Sequence, residues 1–227
     1  MPRIEALLSD LDGTLVDTEP LYFESYRAVA QKLGAGWTNP QHVAHMLGKP
    51  QATGFAAFLA EIDRAHVSHA QLLALRDAEL LPRFEATALL PGAAAAVAAC
   101  RAGGLRCGIV TSSKRNLVGL KMRMHADFMA HFELVVCNDD AVLEGKAGKP
   151  DPACYHAAAA GLGVDIRQCL VFEDSLLGIR AGVAAGAFVV AVPDGRLPMD
   201  EVLAERPHLV LKDLREFSLE RVLAMEV

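Results

Sequence analysis

The chain has 227 residues, 52% of them hydrophobic, which suits one compact domain carrying a sizeable insertion and excludes a disordered chain. Twenty-two lysines and arginines stand against 28 aspartates and glutamates, a formal charge of -6, so a nucleic-acid polymer is not an expected partner. Asp10 interrupts the first apolar run before it reaches the length of a secretory signal. The longest uncharged stretch, residues 86–100, is broken by Pro91 and Gly92 and is too short for a bilayer, so a soluble, cytoplasmic protein with no membrane partner is expected.

Residues 4–8 are short, apolar and followed by an Asp-Leu-Asp-Gly turn, the pattern of a buried strand ending in a loop. The period then changes. In residues 20–33 the apolar side chains Tyr22, Tyr26, Val29 and Leu33 recur at helical spacing, with Pro20 near the start and Gly34 at the stop. The region continuing to about residue 84 is rich in Ala, Leu, Gln, His and charge, and reads as an all-helical insert. Its pairs His42 with His45 and His66 with His69 have no third ligand in a zinc pattern and read as solvated helix faces. Trp37, Phe55 and Phe58 read as packing in preference to a platform for a base or sugar.

Past Leu89-Leu90-Pro91-Gly92 an alanine-rich helix runs to Arg101 and stops at Gly103-Gly104, and residues 105–111 form the next apolar strand. Strands at 134–137, 169–172 and 188–192 alternate with helices at 152–162 and 176–185, which predicts an α/β fold with a parallel sheet covered by helices on both faces. Cys100, Cys107, Cys137, Cys154 and Cys169 are odd in number, lack any C-x-x-C pair, and read as reduced core residues.

In an open parallel sheet, ligands bind beyond the carboxyl ends of the strands. Asp10-Leu-Asp12-Gly-Thr14 follows the first strand, Thr111-Ser112-Ser113 the second, and Glu173-Asp174-Ser175 a later one, while Lys149-Pro-Asp-Pro opens a helix between them. Each alone is an ordinary turn or cap. Together they gather carboxylates whose mutual repulsion a divalent cation would relieve, and an all-oxygen set selects a hard ion such as Mg²⁺. A lysine and hydroxyls beside that ion would suit a phosphate.

The motifs Asp10-Leu-Asp-Gly-Thr-Leu-Val-Asp-Thr-Glu19, Val110-Thr-Ser-Ser113, Gly148-Lys-Pro-Asp-Pro152 and Val171-Phe-Glu-Asp-Ser175 followed by Gly178 resemble, in order and spacing, those of the haloacid dehalogenase superfamily. The insert resembles the helical cap of the β-phosphoglucomutase subgroup, and residues 169–195 are most similar to pseudouridine-5'-phosphatases and glycerol-phosphate phosphatases. The resemblance implies a Rossmann-like core over residues 1–17 and 86–227 and a cap over 18–85. It implies Asp10 as nucleophile and Asp12 as acid and then base, since phosphatases and phosphomutases carry Asp two residues after the nucleophile. Thr111 and Lys149 complete the catalytic set. Mg²⁺ would be held by Asp10, the Asp12 carbonyl and Asp174, with Glu173 as a further ligand, and Ser112, Ser113, Lys49 and Lys114 would face the substrate.

A mutase of that subgroup carries His where Tyr22 stands and Arg where Gln51 falls, so hydrolysis of a small phosphate ester is expected. A phosphomutase, or a binding protein that keeps the fold, are the alternatives. Nothing in the helical faces demands an oligomer, and a monomer is expected.

Overall fold

Short, uniformly apolar segments leave no face that water could wet, and they are stable only when covered on both sides. The computed structural model describes residues 4–46 and 51–225, and in it the strands are β1 (Ala6–Ser9), β2 (Val16–Asp17), β3 (Ala88–Leu89), β4 (Arg106–Val110), β5 (Leu134–Val136), β6 (Cys169–Glu173), β7 (Phe188–Ala191) and β8 (Leu209–Val210). Six of them form one parallel sheet in the order β5-β4-β1-β6-β7-β8. β1 therefore lies at the centre, with Leu8 opposite Gly108 on one side and Val171 on the other. β2 and β3 make a separate antiparallel pair.

The chain divides into two compact units, Met1–Asp17 with Ala88–Val227, and Thr18–Thr87. The helices of the second unit are α1 (Glu19–Lys32), α2 (Asn39–His45), α3 (Gln51–Glu61) and α4 (His69–Arg83). Those of the sheet unit are α5 (Ala93–Ala102), α6 (Arg115–Lys121), α7 (Ala126–Met129), α8 (Ala153–Gly161), α9 (Leu176–Ala185), α10 (Met199–Ala204) and α11 (Leu219–Leu223).

Alternate residues of each strand point to opposite faces, so the sheet sorts its side chains into two cores. Leu7, Cys107, Ile109, Leu170, Phe172 and Val190 pack with Ala96, Val97 and Cys100 of α5, Val118 of α6 and Phe128 of α7. Leu8, Val110, Val171, Val189 and Ala191 pack on the other face with Ala158 of α8, Ile179 of α9 and Val202 of α10. The five cysteines are free and buried in these layers, and burial pushes the Cys100 and Cys169 thiols up to about 12, far from the range of a nucleophile.

The helical unit has its own core, built on Tyr26, Val29, Trp37, Phe55, Phe58 and Leu72. Trp37 meets Phe58 edge to face at 4.6 Å, so these aromatics pack with one another. Thr38 with Gln41 and Ser68 with Gln71 form capping boxes at the starts of α2 and α4. His42 corrects the expectation of a solvated histidine face: it is 1% exposed, because its Nδ1 accepts from the Trp37 indole at 3.4 Å and its Nε2 faces Glu19 at 3.2 Å. His66 and His69 are exposed, as the spacing suggested. No helix among the described residues is long and apolar enough to cross a membrane.

Candidate active site

Asp10 is the first residue beyond β1, and its amide donates to Phe172 O at 2.9 Å, so the central ladder fixes where its side chain starts. Lys149, from the loop before α8, sends its Nζ to Asp10 Oδ1 at 2.6 Å, to Glu173 Oε1 at 2.6 Å and to the Val110 carbonyl at 3.0 Å. The ammonium thereby ties the ends of β1, β4 and β6 together. Glu173 is fully buried at the end of β6 and accepts two more bonds, from the Tyr155 hydroxyl at 2.6 Å and from Ser175 at 3.2 Å. Asp174 accepts from Thr14 Oγ1 at 3.0 Å.

Two glycines make room for these carboxylates. A Cβ on Gly13, whose φ is +81°, would fall 2.3 Å from Asp174 Oδ2, and one on Gly178, in the first turn of α9, would fall 1.9 Å from the Glu173 carboxyl. Ligand oxygens of Asp10, Glu173 and Asp174 consequently lie within 4.8 Å of one another.

The electrostatics record that crowding. Burial, opposed by Lys149 and reinforced by Glu173 and Asp12, pushes the Asp10 carboxyl up to about 7. Burial together with Asp10 and Glu173 also raises Asp174 well above the carboxylate range, against a lowering contribution from the Thr14 hydroxyl. Lys149 loses hydration on burial, yet Asp10 and Glu173 outweigh that loss and hold it well above its ordinary value. One lysine cannot neutralise all three carboxyls once they ionise, and an all-oxygen set of this density fits a hard divalent cation.

Asp12 lies on the same loop and belongs to a second group of contacts. Its Oδ1 takes Lys121 Nζ at 2.5 Å, and its Oδ2 takes the Ser113 hydroxyl at 2.8 Å and, more weakly, that of Thr111 at 3.5 Å. Thr111 is buried just past β4 and also accepts from the Ser113 amide at 3.0 Å. Ser112 is exposed, as is Lys114 at the start of α6. Lys49 lies outside the described residues.

The fold thus gathers Asp10, Lys149, Glu173 and Asp174 in one group, and Asp12, Thr111 and Ser113 beside Lys121 in another. Sequence reasoning named Thr14 in its motif without giving it a role, and missed Tyr155 and Lys121. For Lys121 a signal existed: with Val118 and Met122 it falls on the apolar phase of α6, where a lysine is out of place unless it has a buried partner. Tyr155 carried a weaker one, a hydroxyl among the small apolar residues of α8.

A family model for haloacid dehalogenase-like hydrolases matches residues 4–186. The phosphorylated carbohydrates phosphatase of Thermotoga maritima is 29% identical over 230 residues, covering 94% of this chain and 99% of its own. The (DL)-glycerol-3-phosphatase 1, mitochondrial, of Arabidopsis thaliana is 30% identical over 223 residues, covering 96% of this chain and 72% of its own. Among solved structures, a HAD family hydrolase from Deinococcus radiodurans R1 with bound phosphate and sodium matches with a TM-score of 0.77 at 27% identity, covering 94% of this chain and 93% of that one.

Proposed function

The chain belongs to the haloacid dehalogenase-like hydrolases and is a phosphoric monoester hydrolase, and from that premise we propose an Mg²⁺-dependent phosphatase of a small sugar, polyol or nucleoside phosphate, working through an aspartyl-phosphate on Asp10. The observation that carries this reading is the meeting of Asp10, Glu173 and Asp174 with Lys149 at the carboxyl edge of the sheet. The residues that would hold the ion are Asp10, Asp174 and the main-chain carbonyl of Asp12, with Glu173 within reach. When bound, Mg²⁺ supplies positive charge against the phosphate and keeps Asp10 ionised at neutral pH.

In the first step Asp10 attacks phosphorus, the ester P–O bond breaks, and Asp12 gives a proton to the departing alkoxide. In the second, water attacks the phosphoryl group as Asp12 takes its proton, and the Asp10 carboxylate leaves intact. Lys149, anchored by Glu173, lies where it can offset charge on both nucleophile and phosphate, and Thr111 with Ser112 would bond the equatorial oxygens. Tyr22 supports hydrolysis over mutation, since an aromatic ring packed edge to face on Phe84 at 6.2 Å stands where a mutase carries His.

The test is phosphate release from a panel of hexose 6-phosphate, hexitol 6-phosphate, glycerol 3-phosphate and nucleoside 5'-monophosphate, with Mg²⁺ and with chelator. The reading expects release that chelator abolishes. Isomerised product without free phosphate would establish a mutase, and no turnover of any member would leave the fold without this chemistry.

A further inference from the structure

The sheet edge buries two lysines, and only Lys149 has a place in the mechanism above. Lys121 sits at the end of α6 with its side chain fully buried, a costly position for an ammonium unless hydrogen bonds and a counter-charge compensate. Its Nζ bonds Asp12 Oδ1 at 2.5 Å and Ser113 Oγ at 2.7 Å, while that same hydroxyl bonds Asp12 Oδ2 at 2.8 Å. Lysine, serine and carboxylate thus close a ring in which both oxygens of Asp12 are gripped. A carboxyl held at one oxygen can still turn about its terminal torsion, which is broad for aspartate; one held at both cannot.

We propose that Lys121 is a positioning residue for Asp12. Together with Ser113 it sets the plane of the carboxyl that must reach the leaving-group oxygen. This deepens the phosphatase reading and rests on it, because it presupposes that Asp12 delivers the proton. Proton delivery to a leaving group is sensitive to placement on the scale of an ångström, so loss of the clamp is felt in the steps where Asp12 moves a proton.

Leaving-group chemistry separates the two cases. An alkoxide needs a proton to depart, whereas p-nitrophenolate departs without one. The ratio kcat/KM reports only steps up to release of the alcohol, so the later use of Asp12 as base does not enter it. For Lys121→Met, kcat/KM on the alkyl phosphate of the panel that the parent protein hydrolyses fastest is expected to fall about 10- to 100-fold, and on p-nitrophenyl phosphate less than about threefold. The Asp12 side chain is 24% exposed, so water can replace the lost ammonium. Ser113→Ala, which opens the ring at Oδ2, is expected to show the same selectivity at smaller size, and it carries the test if Lys121→Met does not fold by circular dichroism.

Equal losses on the two esters, or none, in folded variants would overturn the proposal. Asp12→Asn is the reference: a selective loss there, with no selectivity in the clamp variants, defeats the clamp and leaves the phosphatase reading standing. Absence of selectivity in Asp12→Asn itself removes the acid role of Asp12 and the clamp with it.

Discussion

Among the described residues of the helical unit, His42, Arg76 and Glu79 each have partners within that unit. His42 sits between the Trp37 indole and Glu19, and Arg76 bonds Asp77 at 2.9 Å while lying 5.5 Å over the Phe55 ring. Glu79, bonded by Lys32 and Arg83, is held below the usual carboxylate range. At the carboxyl edge of the sheet the reverse holds. Asp10, Glu173 and Asp174 share Lys149, and the excess pushes Asp10 and Asp174 upward. Both regions bury charge, but the second buries more of one sign than the fold neutralises, and such a surplus is what the proposed phosphoryl transfer on Asp10 calls for.

Replacing the proposed nucleophile has the largest expected effect. Asp10→Asn is expected to lower kcat on the order of 10⁴-fold or more while the Tm at pH 8 does not fall, because an anion has left a crowded set. A variant that keeps parental turnover would contradict the assignment. Lys149→Met strikes both function and stability. Glu173 and Asp10 lose their shared cation, so unfolding by urea should show a loss of about 3–5 kcal/mol, with kcat down about 10²- to 10³-fold.

A third expectation concerns pH. The Asp10 carboxyl ionises near 7 in the fold and near 3.8 otherwise, so the folded protein holds an extra proton across that interval. The stability this contributes is complete below about 3.8 and lost as pH rises through about 7, and the upward shift of Asp174 acts in the same sense. A divalent cation bound by these carboxylates would take the place of the proton. The rise in Tm on adding Mg²⁺ should therefore be small near pH 5 and large near pH 8, and a rise independent of pH would count against the site. The smallest effect belongs to the balanced region. His42→Leu strips a partner from Trp37 and Glu19 and is expected to cost about 1–3 kcal/mol in urea unfolding, with turnover of p-nitrophenyl phosphate unchanged within about twofold.

Legibility in the sequence follows the same division. The alternation of apolar strands with helices was legible because each strand is buried on both faces, and the helices at 152–162 and 176–185 appear within a residue of their expected limits as Ala153–Gly161 and Leu176–Ala185. β2, β3 and β8 were not foreseen, since two residues carry no period. Asp10, Asp12, Lys149, Glu173 and Asp174 stood out because short motifs at strand ends declare themselves. The partners Thr14, Tyr155 and Lys121 did not, for a reason of distance: Lys121 meets Asp12 across 109 positions and Thr14 meets Asp174 across 160. Only the folded sheet brings such pairs together. His42 erred the other way, since its burial depends on an indole five residues away that helical spacing does not reveal.

The buried surplus of carboxylates is expected to let Asp10 carry a phosphoryl group. Acid quenching of a single turnover with ³²P-labelled ester, followed by peptide mapping, would trap that intermediate. Label is expected on the peptide containing Asp10, released by hydroxylamine and absent in Asp10→Asn. Phosphate formed at the full rate with no labelled peptide at any time point, or label on a different residue, would contradict it.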